Sequence, residues 1–343
     1  MKYLKDPKGK KIKLFCFMII AITILTLSLA VVETYKESSS LIANVNIKTS
    51  QLDSVIQIEV LLVATLAGFF GALMGLGGGV IIVPVLTSIF NLKIHEAIAI
   101  SIIGVVATSI SGGSSYIAQR ITNIRLAIFL ETSTTLGAFL GALLTLIMPG
   151  KFLYIIFSVF AFYVSLAQLH SIKEEVKKIS VRGFSNVLPD AVSKYLNLSG
   201  EYFDEREKIK VEYVVRGSII GWLIAFIAGV GSGMLGIGGG FLKVSAMNLF
   251  MNIPLKVAIA TSKFMICITA ATSAVIYYVS GVVRLDLVAP LAVGTTIGAT
   301  LGSRVMNKFK IKWLKLIFAF IMFYLGYAML RKGLLLIFGL SLP

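Results

Sequence analysis

Gly75-Leu76-Gly77-Gly78-Gly79 returns as Gly236-Ile237-Gly238-Gly239-Gly240, 161 residues later, and the register holds without a gap for roughly eighty residues around it. With that one offset Ala67-Gly68 fall on Ala228-Gly229, Val83 on Val244, Asn91 on Asn252 and Ala97-Ile98-Ala99 on Ala258-Ile259-Ala260. Ser101 meets Ser262, Thr108 meets Thr269, Tyr116 meets Tyr277, Thr134-Thr135 meet Thr295-Thr296, and Phe162-Tyr163 meet Phe323-Tyr324. The chain is a duplication. Two long apolar copies are not a solenoid but the mark of a transporter-type membrane fold.

Composition agrees. The chain is 57% hydrophobic and 14% charged, and several stretches run past the ~18 apolar residues that mark a bilayer span. A soluble protein is excluded. The net charge of +16 does not point to nucleic acid, because most of the basic residues lie in short segments between apolar runs, where they act as topology signals. Cys16 and Cys267 lie inside apolar segments and predict neither a disulfide nor a metal site.

Residues 1–54 read as a basic head (Lys2 to Lys13), an apolar helix over 14–32 and an external loop containing Ser38-Ser39-Ser40. The helix is either a secretory signal or an uncleaved anchor, and its length favours an anchor with the N-terminus cytoplasmic. Repeat one, within 55–170, holds an apolar stretch at 55–91 and helices at 95–118, 124–148 and 151–170. Repeat two, within 213–343, copies these at 217–252, 256–279, 286–303 and 313–331. Between them, 171–212 carries eight Lys/Arg and eight Asp/Glu, a solvated, partly helical cytoplasmic linker.

The basic side swaps between the copies. Repeat one has Arg120 and Arg125 in its second loop against Lys151 in the next turn; repeat two has Arg284 beside Asp286 in the matching loop against Arg304, Lys308, Lys310, Lys312 and Lys315. By the positive-inside rule this is inverted topology. It requires residues 55–91 to enter and return on one side. At roughly 54 Å of helix they are too short for two crossings of a ~30 Å core. The expectation is an all-α polytopic membrane protein of two inverted-topology repeats, each a Gly-broken helical hairpin plus three transmembrane helices, with one extra N-terminal helix. The hairpin tips are expected near the far side.

A triple glycine inside hydrocarbon breaks a helix, and freed backbone groups there are tolerated only against protein or a wet cavity. New helices begin at about Val80 and Phe241, and their free N–H groups attract anions; two such tips from inverted repeats could converge on one anion between them near the midplane. The bland reading is that the glycines only permit close helix packing. Lys243 and Lys263 tilt the balance toward a site, since an intramembrane cation needs a cavity or a partner. Lys243, nearer a helix start, could instead reach an interface. Glu131, whose counterpart is Ala292, could pair with a lysine, relay a proton or snorkel. Ser101, Ser262, Thr108 and Thr269 recur at equivalent places and either hydrogen-bond a substrate or back-bond to their own helices. His95 and His170 have no metal-ligand companion. Gly231-Ser232-Gly233-Met234-Leu235-Gly236 matches a dinucleotide fingerprint in letters only, since it lies in an apolar helix with no preceding strand. No ATP-binding loop and no nucleophile beside a base is present, so neither an enzyme nor a cofactor is indicated.

Gly75-Leu76-Gly77-Gly78-Gly79 with Pro84, its second copy, and the Ala97 to Ser101 and Ala258 to Ser262 segments resemble the TauE/SafE family of sulfite exporters and sulfonate permeases, over about residues 55–331. The second copy departs in having Ser245 in place of Pro84, so the two hairpins need not bend alike. The resemblance implies an inner-membrane carrier of sulfite or organosulfonate anions. Its expected substrate contacts are Gly77, Gly78, Gly79, Val80, Ser101, Gly238, Gly239, Gly240, Phe241, Ser262 and Lys263, with Glu131 and Lys243 in coupling or charge pairing. The partners are a small anion and the lipid bilayer; oligomeric state is open. An anion channel and a non-transporting scaffold are the rival readings.

Overall fold

The computed structural model describes residues 52–338 apart from 76, 179–186, 205–207 and 306–310. The basic head, N-terminal helix and external loop expected over 1–54 lie outside the described residues, save that 52–54 open the first described helix. Apart from Leu52 and Asp53 at the start of the first helix, everything below falls within the compact unit Ser54–Pro343.

In the first copy α1 (Leu52–Met74), a short α2 (Gly79–Ser88), α3 (Ile94–Ala118), α4 (Ile124–Ile147) and α5 (Gly150–Lys178) follow one another. The second copy repeats the order with α7 (Ser218–Leu235), α8 (Gly240–Ser245), α9 (Leu255–Val279), α10 (Leu285–Val305) and α11 (Ile311–Phe338). Among the described residues eight helices are long and apolar enough to cross a membrane. The chain is a multi-pass, all-α membrane protein. One element departs from the expected partly helical linker: after the short α6 (Ala191–Leu196), β1 (Gly200–Asp204) and β2 (Ile209–Tyr213) form an antiparallel hairpin. Its alternating burial, with Tyr202 and Asp204 in and Glu201 and Phe203 out, is a strand pattern that charge content alone hides.

The breaks between α1 and α2 and between α7 and α8 are where three glycines in each copy take left-handed dihedrals: Gly75, Gly77 and Gly78 at φ 72°, 87° and 82°, and Gly236, Gly238 and Gly239 at 67°, 77° and 63°. A side chain there would strain the backbone by about 1–2 kcal/mol each. Asn91 and Asn252 close the two segments, also left-handed, at φ 52° and 57°. The copies then diverge. Pro84 sits inside a regular α2, whereas α8 gives way after Ser245 to a π-turn over Ala246–Phe250.

Other glycines pack helices against one another, a role distinct from the helix breaks at the triple-glycine runs. A Cβ on Gly137 would overlap the Phe226 carbonyl, one on Gly141 the Val230 carbonyl and one on Gly229 the Thr134 carbonyl. Shifted by the repeat, Gly298 meets Thr65, Gly302 meets Phe69 and Gly68 meets Thr295 in the same way. Thus the first helix of each copy lies against the fourth of the other, α1 on α10 and α7 on α4. The order of contacts makes α4 and α7 run parallel, from Trp222 Nε1 donating to Thr132 Oγ1 (3.0 Å) to Thr145 Oγ1 donating to the Met234 carbonyl (2.9 Å).

The equivalent helices α3 and α9 run antiparallel. Gly112 and Gly113, late in α3, lie against Lys263 and Phe264, early in α9. At the other end Ser101 of α3 and Tyr277 of α9 donate to neighbouring carbonyls of the α7 end, Gly236 (3.0 Å) and Gly233 (2.6 Å). The same sense holds for α5 and α11, where Ser165 donates to the Ala319 carbonyl (2.8 Å) and Gly333 packs on Tyr154 and Ile155.

Candidate functional site

The glycine tips lie beside the middle of α3, not near a membrane face as their length alone implies. Thr108 Oγ1 donates to the Gly77 carbonyl at 2.7 Å, and Ser101 Oγ donates to the Gly236 carbonyl at 3.0 Å and reaches the Gly79 carbonyl at 3.5 Å. Ser262 Oγ points at the Gly240 carbonyl, 3.4 Å away. The recurring serines therefore hold the tips, neither back-bonding to their own helices nor aiming a proton at a substrate in this conformation. The carbonyls freed by each break are satisfied from the other elements, as a low-dielectric interior demands.

The two tips touch. A Cβ on Gly79 would overlap the Gly236 carbonyl, and one on Gly77 would lie 3.7 Å from the Ile237 carbonyl oxygen. The expected anion position directly between the tips is thus closed here by the tips themselves. Beside them a narrow cleft is lined by Val80, Ile237, Gly239, Gly240 and Phe241 with Phe160 and Val164 of α5. Neither α2 nor α8 has a side-chain cap on its first N–H groups.

Both lysines are inside. Lys263 is 0% and Lys243 1% exposed, so the expectation that Lys243 reaches an interface fails. Lys243 Nζ donates to Thr269 Oγ1 at 2.6 Å, Thr269 Oγ1 donates to Glu131 Oε1 at 2.7 Å, and Thr135 Oγ1 donates to the same oxygen at 3.0 Å. Glu131 is 7% exposed and does not snorkel. Its pairing with a lysine runs through a hydroxyl. Thr269 and Thr135 were legible as recurring threonines, but nothing in the repeat pattern marks Thr269 as a bridge.

Lys263 Nζ has no hydrogen-bond partner among the described residues. Its side chain runs along Gly112, where a Cβ would sit 3.7–3.9 Å from Cδ, Cε and Nζ. Gly112 is one helical turn, about 6 Å, past Thr108 and hence past the first tip. Ser109, buried on the same face of α3 as Gly112, also has an unpartnered hydroxyl. Sequence reasoning missed Ser109, which has no hydroxyl at its equivalent, Ala270. Among the described residues no three His, Cys, Asp or Glu side chains gather into a metal-binding group.

The linker closes over this region from one end. Asn123 caps α4 by accepting from the Leu126 N–H (3.1 Å), and its Nδ2 donates to the Leu198 carbonyl (2.7 Å) and Tyr213 Oη (2.9 Å). Burial pushes the Tyr213 phenol up to about 12. Lys256 at the start of α9 pairs with Asp204 at 2.7 Å, and Asp190 accepts from the Ser218 N–H and hydroxyl at 2.8 and 2.9 Å.

Residues 60–329 match the family model described as sulfite exporter TauE/SafE. The chain is 27% identical over 276 residues to the probable membrane transporter protein YunE of Bacillus subtilis, covering 78% of this chain and 95% of that one. It is 25% identical over 249 residues to the probable membrane transporter protein YdhB of the same organism, covering 72% and 89%. No solved structure gives a significant match. With the match spanning the glycine tips, the buried lysines and both copies, the chain belongs to the sulfite exporter TauE/SafE family.

Proposed function

We propose that this protein is a secondary transporter, working as an exporter, for a small sulfur-containing oxyanion such as sulfite or a short organosulfonate. The observation that carries the reading is Lys263, an ammonium at 0% exposure with no partner among the described residues. A lysine at the centre of a membrane helix costs about 2.5–3.5 kcal/mol even on the mildest scale. A mobile anion offsets that cost where no fixed carboxylate does. The sulfur chemistry comes from the family to which the chain belongs.

In this reading the anion sits beside Lys263 and the tips, taking hydrogen bonds from the N–H groups of Gly78 to Val80 and Gly238 to Phe241, with Ser101 and Ser262 holding the tips; the Gly77 N–H is taken by the Gly71 carbonyl. The protein lies in the cell membrane with its N-terminus cytoplasmic and its two copies inverted. Support for inversion comes from the antiparallel run of α3 and α9 together with the swapped basic loops. Access alternates by parting the touching tips. The bodies that move are not the two sequence copies, because α1 is wedded to α10 and α4 to α7 by glycine contacts at backbone distance. Mixed units built from both copies rock instead.

Flux of sulfite, sulfate, short sulfonates and carboxylates into proteoliposomes tests this. Saturable flux of a sulfur oxyanion that falls in Lys263→Met is the expected result. Equal flux in that variant removes the lysine from the site, and currents far above carrier turnover replace the carrier with a channel.

A further inference from the structure

Among the described residues of the membrane helices, Glu131 is the one buried acid. The chain of donors from Lys243 through Thr269 ends on Glu131 Oε1, which also accepts from Thr135. Glu131 Oε2 is buried and has no hydrogen-bond partner among the described residues. The positions equivalent to Lys243, Thr269, Glu131 and Thr135 in the other copy are Ile82, Thr108, Ala292 and Thr296. The hydroxyls recur and the charges do not, so the fold itself does not require the acid.

The groups that face Glu131 are few. From α8 comes Lys243, and from α9 the Thr269 hydroxyl, with the Cys267 thiol in electrostatic reach; α7, packed along the whole of α4, carries no titratable side chain. At the far start of α4 the linker contributes Tyr213 through Asn123. Lys263, on the same helix as Thr269, lies instead against Gly112 of α3. The fixed charge is therefore countable. With both lysines protonated, an ionised Glu131 cancels Lys243 and leaves the charge of Lys263. With a proton on Oε2 the carboxyl is neutral, Lys243 loses its counter-charge, and the interior holds two positive charges.

We propose that Glu131 Oε2 is a proton-binding site whose occupancy sets the charge of the anion carried. Ionised, the interior balances a monoanion. Protonated, it balances a dianion, so that each dianion crosses with one proton while a monoanion crosses without one. The inference rests on the anion-carrier reading above and adds to it the coupling ion and the rule of charge selection.

The test uses the full chain in proteoliposomes, with sulfate as a dianion and methanesulfonate as a monoanion across the working pH range. Three quantities are read: exchange of labelled anion without a gradient, accumulation under a pH gradient, and proton movement with an internal dye. The wild type is expected to accumulate sulfate with one proton per anion and to exchange methanesulfonate with none. Glu131→Gln, fixed in the neutral form, is expected to keep exchanging sulfate, to lose its pH-driven accumulation, and to lose methanesulfonate exchange. Glu131→Ala, which installs the residue of the equivalent Ala292, provides a second neutral variant if the amide perturbs folding. Accumulation of sulfate along the pH gradient by either folded variant, or equal proton counts for both anions in the wild type, overturns the proposal. Absence of exchange of every anion by folded wild type overturns the carrier reading beneath it.

Discussion

The two copies share a backbone and differ in their chemistry. Around the first tip, α2 and α3 place Ile82 and Ile102, fully buried, in the interior. Around the second, α8 and α9 place Lys243 and Lys263 at the equivalent positions, and α4 faces them with Glu131 where α10 has Ala292. The left-handed glycines, the closing asparagines and the helix-on-helix glycine contacts are all kept in duplicate. The tips touch each other, so the backbone geometry of one constrains the other; the buried charges are under no such constraint and are not repeated. The glycine-broken hairpins are thus the backbone feature the copies share, and the buried charges are the feature they do not.

The hardest test of the shared scaffold is Gly79→Ala, whose Cβ meets a backbone carbonyl of the other tip with no room to yield. Loss of about 3 kcal/mol or more is expected, read as failure to recover a monodisperse protein in detergent. Gly231→Ala, with nothing within 4 Å of the added carbon, is expected to leave the melting temperature unchanged or slightly raised.

Converting the second interior into the first sharpens the contrast. Lys243→Ile alone strands Glu131 and is expected to destabilise by about 3–5 kcal/mol. Adding Glu131→Ala recreates the Ile82 and Ala292 pairing and is expected to recover most of that loss in thermal unfolding. A double variant no more stable than the single one would show that the two side chains are not paired through Thr269. Lys263→Ile, matching Ile102, runs the opposite way. Removal of an unpaired buried ammonium is expected to leave stability equal or raised by about 1–3 kcal/mol, while anion affinity measured by calorimetry falls.

Smaller effects are expected where the linker meets the membrane helices. Asn123→Ala removes the cap of α4 and both contacts to the hairpin, a loss of about 1–2 kcal/mol that hydrogen exchange should report as lost protection across β1 and β2. Lys256→Met breaks a pair that is 44% exposed on the lysine side, and a change below about 1 kcal/mol is expected.

Much of the fold was legible in the residues. The duplication shows by identity of register, the spans by apolar length, and the tips by glycine runs that no membrane helix tolerates at its centre without purpose; helices expected at 95–118, 124–148 and 256–279 occur at Ile94–Ala118, Ile124–Ile147 and Leu255–Val279. The site was legible only as a set of suspects. Lys263 and Glu131 stand out by being charged in apolar runs, but Thr269 recurs as Thr108 and so reads as symmetric, although one bridges two charges and the other ties down a tip carbonyl. The β-hairpin was hidden because its charges dominate the composition while its buried alternation spans only five residues per strand.

The sequence by itself determined that this is a duplicated membrane protein with two broken hairpins and a charge imbalance between its copies. These are local or additive properties: apolar length, backbone permissiveness and the side chains present. Only the tertiary structure decided that the first helix of each copy belongs against the fourth of the other, that the tips touch at mid-helix, that Lys243 reaches Glu131 through a threonine and that Lys263 Nζ has no hydrogen-bond partner among the described residues. Those outcomes depend on which faces meet across more than a hundred residues of chain, and close packing among many helices, rather than any local pattern, sets which faces those are.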